Sequence, residues 1–476
     1  MSTPTATAPT TTTTRPGLVL TVVCLCQLMV VLDITVVNVA LPSIRDDLGF
    51  RPADLPWVVN AYTLTFGGLL LLGGRVADLF GQRTAAIAGL SVFGLTSLAG
   101  GLAGEPGQLI AARGLQGVAG ALLLPVSLTV ITTSFAEGPD RRRALGVWAA
   151  VMGVGGAAGV LLGGALTEWL DWRWVFFVNV PIAVVAVPLA MASIRNLHRG
   201  RPRLDIVGAV LVTGATTALV YAVVRTDRHA WDSAHTLGLL GLALVLGVLF
   251  LVVEARFARE PLVRLGLLRQ RSLAVASVLV FFIALGQFGA FYLASMYLQN
   301  VLHYSPLQAG LAFVPFSLGT VVGTMVGMRL VAARGPWLPV LLGLGLTAVG
   351  IGWFGAIRPD GAFVTDMLGP SLLASVGLGT CLVANTSMGT TGVDPAEAGL
   401  ASGMLNAARQ IGGSIGLAVL VTVAGSVTRN HDGAPLVALN AGYARGFLVS
   451  GCLIAVATVI CLVAAPRDAR SAVRRT

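Results

Sequence analysis

Asp33 is the only carboxylate set well inside any of the long apolar stretches of this chain, in the run Val30-Val31-Leu32-Asp33-Ile34-Thr35-Val36-Val37-Asn38. Near the middle of a membrane helix an aspartate is disfavoured by about 2.5 to 3.5 kcal/mol, so it belongs against a bundle interior or a water-filled cavity. Two chemistries suit a carboxyl in that position. It can lock two helices together as half of an ion pair. It can also take up and release a proton or another cation, because its charge state then depends on how far the surrounding helices exclude water. The proton or cation site is the expectation adopted.

Arg113, in Leu109-Ile110-Ala111-Ala112-Arg113-Gly114-Leu115-Gln116-Gly117, is the basic group to set beside it. Asp33 lies roughly eight residues from the end of its stretch and Arg113 about five from the corresponding end of its own, a depth difference of about 4 Å along a helix. The two can communicate only if the first and fourth helices are neighbours, which spacing does not decide. An arginine snorkelling to the membrane interface is the competing reading. Arg409 is a weaker candidate of the same type. A fifth stretch carries Gly146, Gly153, Gly155, Gly156, Gly159, Gly163 and Gly164, with positions 155, 159 and 163 along one face. That spacing lets two helix backbones approach closely. In a ninth stretch Phe281, Phe282, Phe288, Phe291, Tyr292 and Tyr297, with Gln287 among them, either line an adaptable apolar pocket or simply pack.

The elements that must position these residues are helices dissolved in lipid. The 476 residues are 55% apolar and 11% charged, with a mean hydropathy of +0.85, far from the roughly 25% charge of a soluble domain. Stretches of about 20 apolar residues, enough to cross a hydrocarbon layer, recur along the whole length. They fall near 17–41, 57–74, 84–104, 108–133, 144–166 and 175–194, then 206–224 and 236–255, then 272–298, 307–328, 337–356, 366–390, 401–425 and 443–465. Fourteen transmembrane helices are thus expected: an N-terminal six-helix half (17–194), loops and an extra helix pair (195–271), and a C-terminal six-helix half (272–465). The first stretch lacks the basic flank and cleavage site of a secretory signal and reads as a retained span. Residues 1–16, rich in Thr, Pro and Ala, read as a disordered tail, and 466–476 as a short basic one.

All 31 basic residues are arginines, so their distribution reports orientation. With the N-terminus inside, 21 fall on the cytoplasmic side and eight outside, leaving Arg113 and Arg409 within spans. Both termini are therefore expected in the cytoplasm. The net charge of +10 is read as a topology signal, assisted by anionic lipid, rather than as a nucleic-acid surface. The five cysteines lie in apolar stretches without a CxxC pair and read as packing residues, with no metal or disulfide framework. Gly73, Arg75 and Gly81 recur at constant offset as Gly327, Arg329 and Gly335, as two related halves would produce. Paired repeats with a site at their interface are a common plan for secondary transporters.

Together these segments resemble the major facilitator superfamily, in particular its 14-span drug:proton antiporter branch, over nearly the whole chain. The segment Gly74 to Arg83 is similar to the superfamily signature between spans two and three, with Gly74, Asp78, Gly81 and Arg83 in place; it is expected to form a tight cytoplasmic loop. Leu32 to Pro42 resembles the first-span motif of the branch, and Leu109, Arg113, Gln116 and Gly117 its fourth-span motif, with Ala119 where a Gly is usual. Gly146, Gly155, Gly159, Gly163 and Gly164 fit the antiporter motif, with Val160 in the customary Pro position. Trp172 to Pro181, and Gly399 to Gly416 with Arg409, Gln410, Gly412 and Gly413, are also branch-like.

The resemblance implies alternating access, with a small molecule moving out and a proton moving in. Asp33 and Arg113 would couple the proton, the 74–83 segment and the fifth-span glycines would serve the conformational change, and Asn38, Gln116, Gln287, Phe291, Tyr292 and Arg409 are candidate substrate contacts. A lone buried acid suits a lipophilic cation as cargo, yet the same acid can serve the proton alone. An uptake carrier is the nearest alternative. An intramembrane enzyme would need a convergent set such as HExxH, whereas the five histidines fall in loops or at span edges. A membrane sensor would need an appended signalling domain. No GxxxxGK[ST] loop is present, so a proton gradient is the expected energy source. A functional monomer in the cell membrane, without cofactor or metal, completes the expectation.

Overall fold

A computed structural model of the chain describes residues 16–135, 138–194, 205–257, 262–263, 266–393 and 397–465. The expected N-terminal tail to residue 15, the arginine-rich stretch 195–204 and the basic tail 466–476 lie outside the described residues. The rest is helical. Among the described residues fourteen helices are long and apolar enough to cross a membrane: α1 (Pro16–Leu48), α2 (Trp57–Phe80), α3 (Gln82–Gly101), α4 (Pro106–Ser134), α5 (Pro139–Trp169), α6 (Trp174–Ser193), α7 (Ile206–Val224), α8 (Ala234–Phe257), α9 (Arg271–Asn300), α10 (Pro306–Arg334), α11 (Trp337–Ala356), α12 (Phe363–Thr390), α13 (Leu400–Asn430) and α14 (Pro435–Ala464).

Local chemistry sets many of the ends. Pro106, Pro139, Pro306 and Pro435 stand in the first turn of their helices, where a missing N–H costs nothing. Ser305 and Gln308 form a reciprocal capping box at the start of α10. The loop expected over 74–83 is shorter than its sequence suggests. α2 continues to Phe80 and α3 begins at Gln82, so Gly74 and Asp78 ride on the last turns of α2 and Arg83 on the first turn of α3. The link is Gly81 alone, at φ 90°, a left-handed conformation that glycine adopts without a Cβ clash. Gly335, at φ 72°, ends α10 in the same way, so the repeat noticed in the sequence is a repeat of structure.

Packing repeats as well. In the N-terminal half α1 packs on α4, α5 and α6, α2 on α4, and α3 on α4 and α6. In the C-terminal half α9 packs on α12, α13 and α14, α10 on α12, and α11 on α12 and α14, the same scheme eight helices later. The halves meet along two seams related by that repeat, α2 with α13 and α5 with α10, and along α1 with α9 between them. Close approach of backbones carries much of this packing. A Cβ on Gly73 would come within 2.1 Å of the Ala121 carbonyl of α4, and one on Gly416 within 1.9 Å of the Leu285 carbonyl of α9.

The extra pair is attached asymmetrically. α7 contacts both α2 and α13, so it lies over one seam only. A cluster of Leu64, Val220, Val223, Val224 and Ala418 joins the three helices. Thr422 donates to the Val223 carbonyl at 3.3 Å, and Arg225 reaches Asp54 at 3.7 Å. α8 packs on α7 and exposes Leu237, Leu242, Leu244, Val245 and Val248, an apolar face suited to lipid. At its far end Glu254 is buried, accepts the Val263 N–H at 3.1 Å, and lies beside Asp205, the residue that caps α7.

Overpacking a well-filled contact typically costs about 1–3 kcal/mol. Gly416→Ala, which pushes α13 off α9, is therefore expected to lower the thermal unfolding temperature of the purified protein. Gly345→Ala, where the added Cβ meets nothing within 4 Å, is expected to leave it unchanged or raise it.

Candidate functional site

Asp33 is 0% exposed, and every group around it is a donor. Arg113 Nη1 forms an ion pair with Oδ2. Gln116 Nε2 donates to Oδ1 at 3.1 Å and Asn179 Nδ2 to the same oxygen at 3.3 Å. The first and fourth helices are neighbours, and the depth match inferred from spacing becomes contact. The ion-pair reading of Asp33 is met by this geometry.

Arg113 is held as firmly as its partner. Its Nε donates to the Val58 carbonyl at 2.8 Å and its Nη1 to Gln116 Oε1 at 2.9 Å. The guanidinium carbon lies 4.5 Å from the centre of the Tyr62 ring, a cation–π contact in a dry setting. Gln116 is fully used, because its Nε2 also donates to Ser97 Oγ at 2.7 Å. Five helices, α1, α2, α3, α4 and α6, thus contribute to one polar cluster inside the N-terminal half. A buried ion pair is tolerated when surrounding polar groups hydrogen-bond it, as Gln116, Asn179 and the Val58 carbonyl do here.

The fold explains how these side chains reach each other. α6 is broken at Val178, between Trp174–Phe177 and Asn179–Ser193, which places Asn179 at a helix start inside the bundle. On its other side α1 is gripped by α5. The Cβ positions of Gly155, Gly159 and Gly163 would fall 3.2 Å from Val31, 2.0 Å from Thr35 and 2.7 Å from the Val36 carbonyl. The glycine face read from the sequence is therefore the surface that presses α1 toward α4. Gly164 points elsewhere, 2.6 Å from the Pro306 carbonyl of α10, and spans a seam between the halves. Gly146 has open space beside it.

The remaining candidates disperse. Asn38 donates to its own helix at the Ile34 carbonyl, 2.7 Å, while its backbone carbonyl accepts Ser295 Oγ of α9 at 2.9 Å. Gln287 and Phe291 line a narrow cavity of about 30 Å³ within the C-terminal half, with Phe313, Phe316, Phe354 and Phe363. Tyr292, one residue further, lines a different cavity of about 530 Å³. Arg409 lies against Phe288, its guanidinium carbon 5.9 Å from the ring centre. Asn179, Ser97, Tyr62 and the Val58 carbonyl were not singled out from the sequence. Of these only Asn179, a lone amide in the apolar run Trp174 to Ala190, carries a local signal.

This fold and the polar cluster inside one half define a membrane carrier built from two repeats. Residues 23–417 match the Major Facilitator Superfamily model, and the chain belongs to that superfamily. It is 45% identical to the cephamycin export protein CmcT of Amycolatopsis lactamdurans, covering 88% of this chain and 86% of that protein. It is 40% identical to the puromycin resistance protein pur8 of Streptomyces alboniger (90% and 87% covered). A bacterial homolog of the human lysosomal transporter Spinster, solved in an inward-facing and unoccupied conformation, shares the fold with a TM-score of 0.69 at 17% identity, over 94% of this chain and 96% of its own.

Removing one partner from a buried ion pair costs about 3–5 kcal/mol, because the other is left uncompensated. Asp33→Asn and Arg113→Gln should each lower the unfolding temperature in detergent. The double variant should recover most of the loss, and thermal melts of the four proteins give the coupling directly.

Proposed function

We propose that the chain exports a small molecule from the cytoplasm in exchange for protons, with Asp33 as the proton site and Arg113 as the charge that answers it. The observation that carries this reading is the enclosed Asp33–Arg113 pair on α1 and α4. A proton delivered to Asp33 removes the anion that holds Arg113. The guanidinium then keeps only the Val58 carbonyl and Gln116 Oε1, which it already engages, and shifts toward them. Any such shift moves α4 against α1, so occupancy by a proton and the arrangement of the half are one equilibrium. The antibiotic export and resistance activities named for its relatives support the direction.

The asymmetry of the arginines supports two cytoplasmic termini in the cell membrane, and the self-contained pair of halves supports a functional monomer. With that orientation the periplasmic or external side of the molecule is shut. Ser295 bonds the Asn38 carbonyl at 2.9 Å, Gln299 the Val39 carbonyl at 3.0 Å, and the Leu307 N–H bonds Glu168 at 2.9 Å, all across the halves near the side away from the termini. The 74–83 segment, with Gly74, Asp78, Gly81 and Arg83 at the opposite side, would act in the conformational change together with Gly164 at the α5–α10 seam.

Two experiments test the reading. In inside-out membrane vesicles, accumulation of an exported antibiotic should follow an imposed pH difference, vanish on addition of a protonophore, and be absent in Asp33→Asn. Substrate counterflow, which needs no gradient, should survive in that variant. Accumulation that persists after the pH difference collapses would refute proton coupling. In a cysteine-free background, Gly164→Val should prop the α5–α10 contact apart. It should then speed labelling of Ser295→Cys by an impermeant maleimide from outside, whereas unchanged labelling would show that this contact does not gate.

A further inference from the structure

The distribution of unpaired charge along the seam between the halves identifies the cargo more narrowly. Asp33 is the one acid deep in the described spans, and it is fully engaged by Arg113, Gln116 and Asn179. It offers nothing to a cation. Arg409, by contrast, makes no ion pair with any described residue, and its buried Nε–H has no acceptor. Its neighbour Gln410 sits on the seam, where a Cβ on Gly67 of α2 would come within 2.5 Å of the Gln410 Cβ. A guanidinium at this depth without an anion is costly, and a ligand that supplies the anion gains what the protein has left open.

The same helix continues into a second feature. One turn beyond Gln410, Ser414 and Thr63 are 2.7 Å apart and join α13 to α2. Past that contact lies the 530 Å³ cavity, walled by Ala418, Val421, Thr422 and Gly425 of α13 and by Tyr292 and Tyr443. Arg45, Arg51 and Arg429 also line it, and no acidic side chain of the described residues does. Asp46 and Asp54 pair with the first two, and Arg429 makes no ion pair with a described residue. Asn60, on the face of α2 that also carries Thr63 and Gly67, is 0% exposed with both amide atoms unpartnered. Its position one turn from Thr63 sets an unsatisfied polar group between the contact and the cavity. A volume of this size suits a drug-sized molecule.

We infer that the exported molecule is an organic anion with a lipophilic body, held by its carboxylate or sulfonate on Arg409 and released through the arginine-lined cavity. This rests on the export reading above. About 30 Å separates Arg409 from Arg429 along α13, so the two are successive stations and not one site.

The test needs no gradient. Purified protein in detergent at neutral pH is titrated, by fluorescence anisotropy, with fluorescein, a xanthene anion, and with rhodamine methyl ester, a xanthene cation of similar size. The anion should bind saturably and raise the thermal unfolding temperature of the wild-type protein, and the cation should do neither. Arg409→Gln should weaken the anion's binding about tenfold, and Arg409→Lys by less, since charge is kept but the guanidinium fork is lost. Stronger binding of the cation by wild-type protein, or undiminished anion binding by folded Arg409→Gln, overturns the inference. The wild-type comparison decides the matter even where a variant fails to fold. Loss of pH-driven accumulation with anion binding intact would sink the coupling and leave this inference standing; the converse result would sink only this one.

Discussion

An ion pair removed from water is the constraint to which the N-terminal half is built. Asp33 and Arg113 together carry no net charge, yet each must be fully solvated by protein, and the protein does this with groups drawn from four helices besides α1. Gln116 bridges both partners and is itself bound to Ser97, Asn179 donates to Asp33, and the Val58 carbonyl accepts from the guanidinium Nε. Such a network is costly if half made and stable if complete. On the proposed reading it is a two-position device, since a proton on Asp33 takes away an acceptor that Arg113 now uses.

The C-terminal half repeats the packing scheme without repeating the chemistry. Its α9, α12 and α13 occupy the places of α1, α4 and α5. Among the described residues no acid there answers Arg409, and several buried polar side chains fasten backbones: Asn385 to the Ala276 carbonyl, Ser450 to Gly286, Thr380 to Gly323. Duplication thus gave two mechanically similar bodies in which one keeps a self-compensated charge pair and the other an uncompensated cation. On the proposed reading, ion handling falls to one half and cargo charge to the other.

Much of this was legible from residues alone, for a reason that also marks the limit. A polar residue in an apolar run announces itself, so Asp33 and Arg113 were visible, and the helical rise put them at matching depth. The glycine stripe 155, 159 and 163 was visible because a close helix contact needs small residues at that spacing. Rotation of each helix about its own axis was not visible. The ninth-span aromatics show this well, for Phe291 and Tyr292 are neighbours in sequence yet line separate cavities on opposite faces of α9. Ser97 and the Val58 carbonyl are ordinary in sequence and matter only because α3 and α2 happen to present them. The segment 74–83 misled through its polarity, which reads as loop, whereas two helices run nearly through it and Gly81 alone turns the chain.

The extra helix pair breaks the symmetry that the two halves otherwise share. If the halves rock against each other, both seams must change, and repeat symmetry would have them change alike. Here α7 bridges the α2–α13 seam: a Cβ on Gly68 would come within 2.0 Å of Thr213, and Thr422 bonds the Val223 carbonyl. Among the described residues the α5–α10 seam has no such cover and is fastened by Gly164 against Pro306 and by Glu168 on the Leu307 N–H. A body tied on one flank and free on the other does not open evenly. It pivots about the tied flank, so the larger displacement falls at α5 and α10, where small residues and a single carboxylate hold the contact. By this argument the inserted pair would be the hinge side of a rocking carrier, and the glycines of α5 would lie where such a motion is greatest.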